Sequence, residues 1–167
     1  MAMDLRDYFR LRVSELLVME REIWLLTNAM AQECQAPALR EMLTRHSDPT
    51  RQRISNLEQV ADRLGGVIGP QEHPITQAMI RTHRQFMETN PPAPLIDIQH
   101  ALTSEEVAHW EEAIYNGLLM LARLLGEYEI VPLLEQNLLN EEHLRAKDEG
   151  MLPTLISDLS AQLRRAA

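Results

Sequence analysis

A single cysteine, six glycines and an aromatic share of 4% leave whole classes of protein out of reach. With Cys34 alone, the chain has no internal disulfide and no thiolate metal cluster. Scarce aromatics and glycines argue against an all-β chain, which draws on both for its strands and turns. No apolar run reaches the roughly 18 residues of a membrane span. There is no glycine-rich phosphate loop and no Gly-x-Ser-x-Gly elbow. Positive charge is short as well: 16 Lys and Arg stand against 25 Asp and Glu, a formal net charge of −9. That balance speaks against nucleic acid or an anionic membrane as the main partner. The N-terminal stretch is charged from Asp4 onward and lacks the apolar core of a leader, so the expected location is the cytoplasm.

What the chain does have is leucine, nine methionines and a helical period. Its 167 residues are enough for about one domain with a core of its own. The first segment, 4–32, places Leu5, Phe9, Val13, Leu16, Ile23, Thr27 and Met30 on one stripe, with Arg6, Asp7, Arg10 and Ser14 opposite. Asp4 is positioned to cap it. A second helix is expected over 37–64, with Leu39, Leu43, His46, Thr50, Ile54, Leu57, Ala61 and Leu64 inward. Pro49 predicts a kink or a break there, because it removes one backbone donor and crowds a carbonyl one turn back. A shorter helix over 74–89 carries Ile75, Met79, Thr82 and Phe86, and the prolines after Asn90 form a stiff link. Two more helices follow. Val107, Trp110, Ile114, Leu118, Leu121 and Leu125 line 95–125; Ile130, Leu134, Asn137, Leu138, Glu141 and Leu144 line 127–148. A short C-terminal helix over 153–164 carries Leu155, Ile156, Leu159 and Leu163. Four long helices with one short crossover helix spell an all-α four-helix bundle.

The informative residues are charges on the apolar faces. Glu20, Glu111 and Glu141 each lie on or beside a core stripe of a different helix. Carboxylates are rarely buried unless paired or bound to metal. Three helices each contributing one is the pattern of a di-iron or di-manganese carboxylate bundle, with His46 or His143 as imidazole support. Neutralisation by arginine is the stronger reading of the same residues. Arg145 stands one turn after Glu141 as an i, i+4 partner, and Glu111 sits near the edge of its stripe, within reach of solvent. The Glu-x-x-His step of such centres is incomplete: the second helix offers Asp48-Pro49-Thr50-Arg51, and the last Asn140-Glu141-Glu142-His143. Cys34 follows Glu33 without a basic neighbour in sequence, which speaks against a nucleophile.

Four motifs in order resemble the YciE/YciF-type ferritin-like proteins of bacteria. They are Tyr8-Phe9, Ser14-Glu15 and Met19-Glu20-Arg21-Glu22-Ile23; His46 and Thr50 followed by Ile54, Leu57, Gln59 and Val60; Val107-Ala108-His109-Trp110-Glu111 with Tyr115, Leu121-Ala122 and Leu125-Gly126; and Leu133-Leu134, Leu138 and Glu141. The resemblance implies a ferritin-like bundle, often dimeric, linked to stress responses, with Glu20 and Glu141 at candidate ligand positions of a di-metal centre. Where this chain departs from that pattern, carboxylates are lost and cations gained. Ala108 replaces a glutamate, Asp48 shortens another and Pro49 replaces its neighbour. Arg51 and Arg53 stand where neutral or imidazole side chains are common, and Arg145 replaces an aspartate. Such cations would repel a divalent metal and pair with the remaining carboxylates.

The expectation is a ferritin-like, stress-associated homodimer that acts by binding, with a degenerate site neutralised by Arg51, Arg53 and Arg145. The dimer rests on apolar surface beyond the needs of one bundle, including Trp24 and Leu25. Two rivals stand beside it. One is a di-iron or di-manganese oxidase or peroxide-detoxifying enzyme with Glu20, Glu111 and Glu141 as ligands and His46 or His143 in support. The other is an adaptor or immunity-type module whose acidic surface meets a basic protein.

Overall fold

The structure, a computed structural model, describes residues 3–166; Met1 and Ala2, the start of the stretch read for targeting, and Ala167 lie outside the described residues. Seven helices occur among the described residues, and no strand. None is long and apolar enough to cross a membrane. Helix α1 (Leu5–Glu33) opens at Asp4, whose carboxylate accepts from the Asp7 amide at 2.8 Å. The second expected helix is split into α2 (Pro37–Arg45) and α3 (Ser47–Arg63). The break at His46 has a local cause: Pro49 has no N–H to return to the Arg45 carbonyl. Crossover helix α4 (Pro74–Glu88) starts at His73, whose ring accepts from the Thr76 amide. Helix α5 (Ala93–Leu125) begins among the prolines, which suit a first turn. Helix α6 (Val131–Asp148) starts four residues later than expected, because Pro132 sets its first turn. Helix α7 (Met151–Ala166) starts two residues earlier than expected, which places Pro153 inside its first turn.

Helices α1, α2–α3, α5 and α6 form the bundle. The main core gathers Phe9, Val13, Leu16, Leu57, Leu118 and Leu134, among others, from four helices. Full burial of a leucine such as Leu17 or Leu57 contributes about 2 kcal/mol. A second cluster at the other end joins Met30, Cys34, Leu39 and Leu43 to Ala101, with Met151, Leu152 and Leu155 of α7 packed on it.

The stripes shift in places. Ser14, expected outward, is buried; its hydroxyl donates to the Arg10 carbonyl and accepts from the Ile68 amide, because the segment after α3 folds back over that face of α1. On α4 the inward residues are Thr76, Met79, Ile80, His83 and Phe86, whereas Ile75 and Thr82 are exposed. On α5 the most buried line runs Val107, Glu111, Tyr115, Leu118 and Ala122, which leaves Trp110, Ile114 and Leu121 partly open. On α7, Ile156 and Leu163 face outward. Leu5 is likewise exposed.

Candidate functional site

Near mid-height the core is polar. Arg53 of α3 is buried, and its guanidinium is surrounded by three carboxylates from three other helices. Its Nε donates to Glu20 Oε1 at 2.9 Å. Its Nη2 donates to Thr50 Oγ1 at 3.2 Å and to Glu111 Oε2 at 3.5 Å. Its Nη1 lies 2.9 Å from Glu141 Oε2. The planar fork of arginine suits this: one cation reaches three acceptors that a point charge could not meet together. Tyr115 adds a hydroxyl that donates to Glu20 Oε1 at 2.6 Å. Asn137 donates to that hydroxyl at 3.2 Å and to the Arg53 carbonyl at 3.0 Å, and Asn56 donates to Asn137 Oδ1 at 2.7 Å.

The balance of charge is lopsided, with three carboxylates to one guanidinium. Burial, then Glu20 and Glu141, pushes the Glu111 carboxyl well above its ordinary range. Burial also raises Glu141, against the pull of Arg53. Burial opposes the charge on Arg53, but Glu20, Glu111 and Glu141 outweigh it and hold the guanidinium protonated. Burial and Glu20 push the Tyr115 phenol well up, so it stays a donor. The cluster is thus one guanidinium held charged among three buried carboxyl groups, of which Glu111 and Glu141 are both shifted towards the protonated form.

A ferritin-like fold carries the expectation of two metal ions at this height, and the residues present do not fit them. The carboxylate oxygens Glu20 Oε1, Glu111 Oε2 and Glu141 Oε2 already face the guanidinium, where a metal would draw on them. A cavity of about 20 Å³ borders Arg53, Glu111 and Glu141. That is room for about one water, not for a pair of ions set roughly 3.5–4 Å apart. Glu20 Oε2 and Glu111 Oε1 find no hydrogen-bond partner among the described residues.

Of the residues singled out in the sequence, Glu20, Glu111, Glu141 and Arg53 come together. Glu111 is buried rather than solvated. His46 is half-buried and contacts Asp148 at 2.5 Å instead. His143 is exposed on α6, pointing away from the cluster's side of the helix. Arg51 is exposed over the Trp24 ring, and Asp48 is its neighbour at 3.9 Å. Arg145 is exposed and pairs with Glu112 at 3.2 Å, not with Glu141. The neutralising cation is therefore Arg53 alone of the three named; Arg51 and Arg145 lie on outward faces of their helices. Beside the cluster a cleft of about 320 Å³ opens between α2, α5, α6 and α7, lined by His46, Glu105, Glu141 and Asp148 among others. Tyr115, Asn56 and Asn137 complete the network. Asn137 was legible as a polar residue on an apolar stripe; the roles of Tyr115 and Asn56 were not. At Cys34, burial and then Asp97 raise the thiol, although Arg40 sits close by, which agrees with an inert cysteine.

An all-α bundle with its polar centre spread over α1, α3, α5 and α6 defines the class: a ferritin-like four-helix bundle whose core centre is an ion cluster. The chain belongs to the DUF892 family, a domain of unknown function, which it matches over residues 4–160. Three solved structures share the fold. The Escherichia coli stress protein YciF is 19% identical with a TM-score of 0.83, covering 93% of this chain and 99% of YciF. YcfI of Rhodopseudomonas palustris is 23% identical with a TM-score of 0.79, covering 87% and 92%. A protein of Xanthomonas campestris pv. campestris is 20% identical with a TM-score of 0.74, covering 98% and 99%. No curated protein matches the chain. The family and the YciF-like fold agree with the resemblance read from the four motifs.

Proposed function

We propose that this chain is a stress-associated, ferritin-like protein that acts by binding, as a homodimer, with its di-metal position taken over by Arg53. The observation that carries the reading is the placement of one guanidinium within 2.9–3.5 Å of carboxylates from three helices. A permanent cation there supplies the positive charge that metal supplies in a di-metal carboxylate bundle, and it offers no open position for oxygen or peroxide. The stress association is carried from YciF, and the fold alone links the two. The homodimer is supported by exposed apolar side chains, with Leu25 at 61%, Met120 at 67% and Leu124 at 72%. Trp24 is not part of that surface, because it is half-buried, donates to Ser47 at 3.0 Å and stacks under Arg51.

Metal uptake tests the reading. Chain stripped of metal and loaded anaerobically with iron or manganese should take up no metal that depends on Glu20. Arg53→Ala should gain such uptake, since it leaves three carboxylates facing one another. Near two equivalents per wild-type chain, lost in Glu20→Ala, would overturn the reading in favour of an oxidase.

A further inference from the structure

A second set of metal-ligating groups lies at the far end of α1, outside the arginine cluster. Glu33 is thirteen residues beyond Glu20, about 20 Å along the helix. His83 of the crossover helix and His100 near the start of α5 meet it there. His83 Nε2 is 2.9 Å and His100 Nε2 3.2 Å from the same oxygen, Glu33 Oε2. The two rings lie side by side, with centroids 5.2 Å apart. One ligand atom from each of the three residues fits within a span of 4.8 Å.

The polar groups are close yet unsatisfied. His100 is 0% exposed, and neither of its ring nitrogens has a hydrogen-bond partner among the described residues. His83 Nε2 and Glu33 Oε2 are in the same state, because their short approaches are misaligned for hydrogen bonding. A buried imidazole with both nitrogens unpaired is costly, so natural cores give such a group a partner. Three ligand atoms gathered this closely on groups left without hydrogen-bond partners is the arrangement of a shared cation. At metal–ligand distances of roughly 2.0–2.1 Å and tetrahedral angles, neighbouring ligands stand about 3.3–3.4 Å apart, close to the 2.9 and 3.2 Å seen at Glu33.

We propose that Glu33, His83 and His100 bind one zinc-type divalent ion. Two imidazoles and one carboxylate are a donor set that zinc takes readily, and three protein ligands leave a fourth position for water. Glu33 is the outlet, with its side chain 31% exposed while His83 is at 9% and His100 at 0%. The ion would have a structural task. Thr76 is the one fully buried residue of α4 among those described, so the crossover is thinly attached, and the ion ties it to α1 and α5 at once. This site is independent of the proposal for Arg53.

The test is a zinc titration of the full, untagged chain after chelator treatment, followed by calorimetry and by hydrogen exchange of α4. One equivalent of zinc should bind, and the α4 amides should gain protection. His83→Ala and Glu33→Gln should each weaken binding by more than the about 10- to 100-fold that loss of a supporting contact costs. Both residues keep some exposure, so these variants should fold, with circular dichroism as the check. Glu111→Gln should bind zinc like the wild type, which separates this site from the central cluster. Absence of saturable zinc binding overturns the proposal, as does binding that is unchanged in both His83→Ala and Glu33→Gln.

Discussion

At Glu111 and Glu20 the same side chain plays opposite parts, and the difference is measurable. Glu111 is pushed well above the ordinary value of 4.5, so the folded chain holds a proton that the unfolded chain releases. Stability gained this way is full below the unfolded range and is lost as pH rises through the folded value. Glu111→Gln keeps the neutral shape at every pH. Its denaturation midpoint at about pH 8 should equal or exceed that of the wild type, and its loss of stability towards alkali should be shallower. A lower midpoint with an unchanged slope would show that Glu111 is ionised in place. Glu20, by contrast, accepts from both Arg53 and Tyr115. Glu20→Gln removes the charge that Arg53 faces most squarely and should cost about 3–5 kcal/mol in urea unfolding. Tyr115→Phe leaves Glu20 short of one donor and should cost about 1–3 kcal/mol in the same assay.

Helix ends supply the next scale of control. Asp97 of α5 is buried, and its two carboxylate oxygens accept from the backbone amides of Gln35 at 2.7 Å and Ala36 at 3.0 Å. It thereby fixes the corner between α1 and α2, which in turn aims α3 and Arg53. Asp97→Ala strands both amides and should lower stability by about 2–4 kcal/mol, read from the urea midpoint. At the other end of α5, Gly126 has φ 74°, with the Glu127 amide donating to the Ala122 carbonyl and the Gly126 amide to Arg123. That left-handed cap lets α6 return at once along α5. A Cβ there meets nothing within 4 Å, so Gly126→Ala should cost only the conformational penalty, about 1 kcal/mol. The split at His46 belongs to this scale too. Pro49 ends α2 as a continuous element, yet Thr50 and Arg53 still arrive at the centre because α3 continues along the same side of the bundle.

At the scale of the whole molecule, some helix surfaces are covered by packing and others are left apolar and open. Leu25, Met120, Leu124 and Leu139 remain exposed after all seven helices have packed. A homodimer should appear in sedimentation at micromolar concentration, and Leu124→Glu should shift it to monomer without loss of helicity. A monomeric wild type under those conditions removes the dimer from the proposal. The acidic surface, from a net charge of −9, adds solubility and leaves electrostatic contact with basic partners open to salt.

Residue pattern by itself determined that the chain is all helix, where most helices start and stop, and that Glu20 and Glu141 interrupt apolar stripes. Period and capping are local properties, and Asp4, Gly65 and Gly126 state them within a few residues of sequence. Packing decided the rest. Period says that α5 has an inward face but not how the helix turns against its neighbours, so Glu111 read as a stripe edge and proved central. Arg53 was flagged by its departure from the family pattern, whereas Arg51 and Arg145, flagged in the same way, face outward at neighbouring turns. His83 and His100 carried no spacing signal with Glu33, because the three come from separate helices and the last two lie seventeen residues apart across a proline link. What brings them to one point is the path of the crossover helix, and that path exists only once α1 and α5 are packed.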